Sequence, residues 1–255
     1  MTAKEVTHHR PWLRRAKPLL GTLVEVGVCD DVPNGDLAAS AAFESMLLVQ
    51  ACMSRFEPDS DVSRFHRLRP GESMDVDLHT AAVLLAARRL HHETGGSFDI
   101  SSHSASDGWR FDDQRLQRMD DAAHIDLGGI AKGYAVDLAV RTLIELGCAS
   151  GWVNAGGDLR VFGMAELALH LRDECGGGVR PFGWLQDGAF ATSHFSTTSR
   201  CAALRAAGDK AAFEAHVSVA APLCLWADAL TKVVALSGDT AHPVLSRYHA
   251  QAWLH

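Results

Sequence analysis

Basic charge and long hydrophobic runs are both scarce in this sequence of 255 residues. The chain has 31 acidic and 24 basic residues, and its formal net charge of −7 argues against nucleic acid or an anionic membrane as the main partner. No continuous apolar run approaches the roughly 18 residues that cross a bilayer. The N-terminal segment MTAKEVTHHRPWLRRAKP lacks the apolar region of a secretory signal. We therefore expect a cytoplasmic protein with no membrane anchor in this chain.

Motifs of the common metal and nucleotide sites are also missing. None of the six cysteines has CxxC spacing, and most lie in apolar or small-residue surroundings, so we expect reduced, buried thiols. The 14 histidines are scattered without an HExxH pattern, and a histidine-based zinc site is not expected. Neither a Walker A loop nor the GxGxxG fingerprint of dinucleotide-binding folds is present.

The most informative segment that is present is IDLGGIAKGYAVD at 125–137. It predicts a strand that ends at Asp126, a turn at Gly128–Gly129, and a helix that begins near Ile130 with Lys132 in its first turn. Glycine lets a ligand approach the backbone closely, and a helix start presents unpaired N–H groups and a partial positive charge. This pattern is typical of a phosphate site. The alternative is a glycine turn needed only for close packing, with Asp126 as a helix cap.

Three further segments carry polar or aromatic residues in loops. NAGGD at 154–158 forms a second glycine turn, which could serve a ligand or a simple hairpin. FEPDSDVSR at 56–64 is predicted as a loop whose aromatic ring either anchors the core or flanks a planar ligand. GSFDI at 96–100 pairs an aromatic residue with a carboxylate after a predicted helix end, and it could equally start a strand.

ADALTK at 227–232 is the best candidate for a metal site. Asp228 and Thr231 lie three residues apart where a helix is predicted to begin, so their side chains share a face. Side-chain oxygens of this kind, with backbone carbonyls and phosphate, suit a hard cation such as Mg²⁺. The alternative is an aspartate that only caps the helix, beside an incidental threonine.

The order of apolar patterns predicts an α+β fold in which helices pack on a largely antiparallel sheet. We expect a polar N-terminal tail at 1–17 and one domain at 18–255. Strands are predicted at 19–28, 152–162 (two pieces around a turn), 167–171, 188–192 and 216–221. Helices are predicted at 37–53 with Asp36 as N-cap, at 78–92 after Asp77, at 131–146 and at 228–236, with a helical insert at 202–215.

Taken together and in this order, these segments resemble the ApbE-type FAD:protein FMN transferases, also called flavin transferases. IDLGGIAKGYAVD and NAGGD are the most specific, and the resemblance covers residues 18–236. The segments that carry it are PLLGT (18–22), MSRFEPDSDVSRFH (53–66), GGSFDIS (95–101), IDLGGIAKGYAVD (125–137), VNAGGDLRVFG (153–163), ATS (191–193) and ADALTK (227–232).

The resemblance implies a single ApbE-like α+β domain that binds FAD and Mg²⁺. It implies transfer of FMN from FAD to a threonine or serine of a target protein through a phosphoester, with release of AMP. Residues that it places at the adenine end of FAD are Leu20, Phe56, Ser97, Phe98 and Asp99. It places Asp126 and Lys132 near the pyrophosphate. Metal ligands that it implies are the carbonyl of Gly129 and the side chains of Asp228 and Thr231, and Asp228 is the candidate catalytic residue.

The sequence departs from the family pattern in three places. Lys232 stands where the family usually has threonine, and His194 stands where it usually has glycine. The family's HIxDPxTG segment is missing between residues 194 and 216. A charged ammonium cannot coordinate Mg²⁺, so Lys232 either supplies positive charge to a phosphate itself or turns away from the site. The alternatives to transfer are a catalytically degenerate FAD-binding protein and an FAD pyrophosphatase.

Overall fold

The structure is a computed structural model, and it describes residues 12–29, 34–101, 107–172, 177–195 and 215–255. The strands are β1 (Trp12–Leu19), β2 (Thr22–Cys29), β3 (Ser73–Asp75), β4 (Trp109–Asp112), β5 (Arg115–Arg118), β6 (Gly151–Ala155), β7 (Asp158–Arg172), β8 (Val179–Phe195), β9 (Ala215–Ala221) and β10 (Gln251–Leu254). The helices are α1 (Gly35–Met53), α2 (Asp61–His66), α3 (Leu78–Glu93), α4 (Ala131–Glu145), α5 (Cys224–Ser237) and α6 (Pro243–Arg247).

Seven of these strands form one sheet in the order β1-β2-β6-β7-β8-β9-β10, and β3, β5 and β4 form a small second sheet. The strand pairs are antiparallel throughout the described residues. Val24, Val26 and Val28 alternate along β2 and are fully buried, as expected for a strand with one face on the core. The predicted α+β fold with a largely antiparallel sheet is therefore confirmed.

Helices α1, α4 and α5 cover one face of the large sheet and contain most of the core. On α1 the buried side chains recur at helical spacing, with Phe43 and Met46 fully buried. Among the described helices, α1 is the one long and apolar enough to span a membrane by length and composition, a test that a core helix also passes. The opposite face of the sheet carries a smaller cluster around Trp152 and Phe190.

The predicted N-terminal tail at 1–17 is wrong for residues 12–17, which belong to β1. These residues pair with β2 along their whole length, and the Arg15 guanidinium donates to Ser40 Oγ on α1 at 2.8 Å. Basic residues are common on edge strands, where they discourage further pairing. Charge at these positions therefore marks the edge of the sheet.

Several other boundaries differ from the predicted ones. The loop predicted at 56–64 contains the start of α2, where Ser60 Oγ accepts from Ser63 N at 3.1 Å. Asp36 is not the N-cap of α1, which begins after Asn34 in a left-handed conformation. The short strands predicted at 167–171 and 188–192 are parts of the long β7–β8 hairpin. Asp77 caps α3 as predicted. The helical insert predicted at 202–215 lies outside the described residues.

The prediction of reduced, buried thiols is confirmed for Cys29, Cys148 and Cys224. Cys52 is a free thiol and is only half-buried. The remaining two cysteines, at 175 and 201, lie outside the described residues.

His66, at the end of α2, holds the irregular segment that leads into the first glycine turn. The strand predicted to end at Asp126 is wrong, since residues 123–127 form no strand. His66 Nε2 accepts from Ile125 N at 3.1 Å, and its ring stacks on His124 with centroids 3.9 Å apart. Burial lowers the pKa of His66 from 6.5 to about 4. The ring is therefore neutral in the folded protein over a range in which the unfolded chain takes up a proton.

We expect the free energy of unfolding to fall as the pH is lowered from 6.5 towards 4, because the unfolded state binds more protons in this window. His66→Gln keeps an acceptor but does not titrate, so its melting temperature should fall less over the same window. Calorimetry across this pH range measures the change of melting temperature for both proteins. The control is His249→Asn, at an exposed histidine. Equal pH dependence of His66→Gln and the parent protein would contradict this role.

Candidate functional site

A cleft of about 660 Å³ opens at the edge of the helical layer. The turn between β1 and β2, the loop after α1, the glycine turn before α4 and the end of β8 form its walls. Residues on the walls that matter below are Leu20, Arg55, Phe56, Asp126, Lys132 and Lys232. A mostly apolar cleft of this size with a few convergent polar groups is typical of a small-molecule site.

The glycine turn before α4 is held from within. Asp126 accepts from Gly128 N at 2.8 Å, and the Arg55 guanidinium lies 3.4 Å from the other oxygen of this carboxylate. The amides of Gly129 and Lys132 have no hydrogen-bond partner among the described residues. The start of α4 therefore presents open N–H groups to the cleft, an arrangement suited to a bound anion.

Helices α4 and α5 cap each other. Asp228 of α5 accepts from Gly133 N in the first turn of α4 at 3.1 Å. In return, Asp137 of α4 accepts from Cys224 N at 3.0 Å and from Leu225 N at 2.8 Å at the start of α5. Each carboxylate satisfies amides that its own helix could not reach, and it also meets the positive end of the other helix dipole.

Gly133 makes this mutual capping possible. A Cβ at this position would lie 2.3 Å from the carbonyl oxygen of Cys224 and 2.9 Å from Cβ of Asp228, much closer than packed atoms approach. The absence of a side chain lets the two helices meet, and this contact sets the position of Asp228 beside the glycine turn.

Four charged side chains meet behind the cleft wall, and we call them the charge cluster: Lys132, Asp158, Asp228 and Lys232. Lys132 Nζ lies 2.8 Å from Asp158 Oδ2, and the Lys232 ammonium contacts Asp228 Oδ1. The two carboxylates and Lys232 are buried, whereas about a third of the Lys132 side chain is exposed. Asp158 comes from the NAGGD segment, so the cluster joins the two glycine turns.

The charge cluster changes the proton affinity of its members. Burial lowers the pKa of Lys132, but attraction to Asp158 and Asp228 outweighs it and the net shift is upward. Burial, together with repulsion from Asp228, raises the pKa of Asp158 to about 6, even though Lys132 opposes the change. Lys132 therefore stays charged at neutral pH.

A sequence model of the ApbE family matches residues 20–194. The chain belongs to the ApbE family. It is 24% identical over 184 residues to FAD:protein FMN transferase of Haemophilus influenzae, an alignment that spans 56% of this chain and 52% of that protein. It is 25% identical over 141 residues to FAD:protein FMN transferase of Vibrio cholerae, spanning 44% of this chain and 42% of that protein. The chain thus spans about half the length of the curated relatives it matches.

Solved ApbE structures share the fold along almost the whole chain. The ApbE protein of Thermotoga maritima superposes with a TM-score of 0.81 at 23% identity, covering 96% of this chain and 94% of that one. The flavin transferase ApbE of Vibrio cholerae gives a TM-score of 0.79 at 17% identity, with the same coverages. These likenesses establish an ApbE-like fold.

The structure brings together only part of the residues predicted at the adenine end of a dinucleotide. Leu20 and Phe56 line the cleft, and Phe56 projects from its rim with 80% of its surface exposed. Ser97, Phe98 and Asp99 do not line it. Phe98 is fully buried in the core, and Asp99 accepts from Ser101 N at 2.7 Å beside a separate cavity of about 430 Å³. Their contact with the adenine end stays a prediction.

Two of the three predicted metal ligands, Asp228 and Thr231, have protein partners in this structure, and the third, Gly129, lines the cleft. Both oxygens of the Asp228 carboxylate are engaged, one by the Lys232 ammonium and the other by Gly133 N at 3.1 Å. The Thr231 hydroxyl donates to the Asp228 carbonyl at 2.7 Å and lies 3.0 Å from Ser193 Oγ. No cluster of three or more His, Cys, Asp or Glu side chains suited to a metal occurs in the described part of the chain. This donor set does not fit Mg²⁺, because beside its waters and substrate phosphates the cation needs a carboxylate, and the Asp228 carboxylate is occupied by an ammonium and a backbone amide.

Sequence reasoning missed residues whose partners are distant in the chain. Asp137 is the last residue of the IDLGGIAKGYAVD motif, and no local sequence pattern indicates that its carboxylate caps α5. Arg55 lies inside MSRFEPDSDVSRFH, so its position in a motif was the available signal. His194, the substitute for the family's glycine, lines the cleft and stacks on His216 with ring centroids 4.0 Å apart.

Gly133→Ala should destabilise the protein, because its Cβ forces α4 and α5 apart and breaks the caps at both helix starts. We expect the free energy of unfolding to fall by about 3 kcal/mol, the upper part of the usual range for an overpacked core. Urea denaturation measures the change. Gly183→Ala on β8 is the matched control, since a Cβ there meets nothing within 4 Å. If both variants are as stable as the parent, the close approach at Gly133 does not set the geometry of the site.

Proposed function

We propose that this chain transfers FMN from FAD to a threonine or serine hydroxyl of a target protein and releases AMP. The observation that carries the proposal is a cleft in which the open amides of the α4 start lie beside the Lys132 and Lys232 ammonium groups. Such a wall suits two linked phosphates. Membership of the ApbE family, together with relatives named FAD:protein FMN transferases, supports FAD as the source of these phosphates.

In the proposed reaction, the acceptor hydroxyl oxygen forms a bond to the phosphorus of the FMN half. The P–O bond to AMP breaks, AMP leaves with the electron pair, and the hydroxyl proton ends in solvent. Catalysis of such transfers consists mainly of positioning and charge stabilisation. Lys132 and the α4 amides would stabilise the pyrophosphate as charge moves onto AMP. Asp228, predicted to be catalytic, would position Lys232 and Gly133, since both of its oxygens are engaged.

Mg²⁺ is the cofactor that the resemblance implies, and it would neutralise charge on the leaving phosphate when bound. The donor set around Asp228 does not fit it. We further propose that the reaction takes place in the cytoplasm and that the partner is a protein with an accessible threonine or serine.

Incubation of the purified chain with FAD and a target protein bearing a flavinylation motif should give a covalent flavin on the target and one AMP per flavin. Intact mass and chromatography of nucleotides measure both products. Lys132→Met should slow transfer about 100-fold, the usual effect of removing one charge-stabilising group, whereas Lys17→Met, outside the cleft, should not. FAD binding without transfer would indicate a degenerate binder, and FMN and AMP formed without target would indicate a pyrophosphatase; either overturns the proposal.

Phe56→Ala should weaken FAD binding without destabilising the fold. The exposed ring offers a face for adenine, and base–aromatic stacking contributes roughly 1–3 kcal/mol, equivalent to a loss of roughly 5- to 150-fold in affinity. Quenching of flavin fluorescence measures the affinity, and thermal melting tests the fold. The control is Trp184→Ala, an exposed aromatic residue on β8 that does not line the cleft. Equal affinity for Phe56→Ala and the parent would show that the adenine lies elsewhere.

A further inference from the structure

The ammonium of Lys232 lies where a cation held by Asp228 would lie. Its Nζ contacts Asp228 Oδ1 and donates to the Asp228 carbonyl at 2.9 Å, one turn back along α5. Lys232 is 5% exposed and Asp228 is 1% exposed, so the pair is largely shielded from water. A charge pair in such surroundings interacts much more strongly than one on the surface.

The other side-chain oxygens of Asp228 and Thr231 are also committed to the protein. Asp228 Oδ2 accepts from Gly133 N, and Thr231 Oγ1 donates to the backbone of its own helix and meets Ser193. A divalent cation would have to displace a tethered ammonium and break these contacts to gain its ligands. Because the ammonium is attached to the same helix, it competes for the carboxylate at every concentration of free metal.

The charge balance of the cluster also disfavours a divalent cation beside Asp228. With both carboxylates ionised, the charge cluster has two negative and two positive charges, and its net charge is zero. Asp158 is within electrostatic range of Lys132, Lys232 and Asp228, so the four charges act together. A dication would give this buried group a net charge of +2, which is costly at low polarity. With threonine at 232, the net charge would be −1, which attracts a cation.

We propose that Lys232 is a built-in replacement for the divalent cation, so that this chain binds FAD and transfers FMN without Mg²⁺. This inference rests on the proposed function. Lys232 also lines the cleft, where its ammonium can face the phosphate that leaves with AMP. The bonds formed and broken are those of the transfer above, and the ammonium contributes one fixed positive charge while keeping its protons.

Metal binding tests the proposal without any reference to activity. Electron paramagnetic resonance with Mn²⁺ should show no bound ion for the parent chain and one bound ion for Lys232→Thr. The double variant Asp228→Asn/Lys232→Thr should lose this ion again, because the carboxylate is gone. Lys17→Thr is the matched control for loss of a lysine. Tight Mn²⁺ binding by the parent chain overturns the proposal, as does a folded Lys232→Thr that binds none.

FAD affinity provides a second measurement that does not require any variant to fold. Titration of the parent chain in EDTA and in Mg²⁺ should give dissociation constants equal within about twofold. A loss of about tenfold or more in EDTA overturns the proposal. If FAD binds equally in both but no transfer occurs, the proposed function fails while the replacement of the cation stands. If transfer occurs only with Mg²⁺, the function stands and the replacement fails.

Discussion

The site depends on the mutual capping of α4 and α5. Asp137 and Asp228 each lie in one helix and bond to the first amides of the other, and Gly133 lets the two backbones approach closely. The arrangement fixes the start of α4, which would otherwise fray, and fixes Asp228 beside it. Since Asp228 takes the Gly133 amide, the open amides are the earlier ones in the turn. A phosphate bound as proposed would therefore lie on the side of the helix that faces the cleft.

The charge cluster is the second constraint, and it depends on the first. Burying four charged groups is unfavourable unless each has a partner of opposite sign at close range. The capped helices and the NAGGD turn supply that geometry, because they bring Lys132 to Asp158 and Lys232 to Asp228. Removing Lys132 or Lys232 leaves a buried carboxylate uncompensated, and removing Asp228 leaves the buried Lys232 ammonium uncompensated. The same cluster that stabilises the wall of the cleft thus also sets its electrostatic character.

The sequence contained enough local signal to predict the fold class, the order of the main elements and the glycine turn. Glycines, caps and apolar spacing act over a few residues, and they located α3, α4 and β2 closely. Contacts between distant segments left no such signal: Gly133 and Asp228 are 95 residues apart, and Asp137 and Cys224 are 87 apart. For this reason the predicted helix at 228–236 began four residues too late. The family motif predicts Phe98 at the adenine end of FAD, a contact that stays a prediction, and burial of its ring in the core gave no local signal in the sequence.

A tethered ammonium and a magnesium ion differ in ways that bear on how FAD would be held. The ion has two charges and brings water molecules, whereas Lys232 has one charge and is already paired with Asp228. The pyrophosphate of FAD has two negative charges, and the charge cluster is neutral before it binds. The excess negative charge must then be stabilised by the dipole of α4 and by its open amides. These amides are fixed, uncharged hydrogen-bond donors. If this chain binds FAD as proposed, the glycine turn therefore has a larger share in binding the nucleotide than it would have in a site that holds a divalent metal.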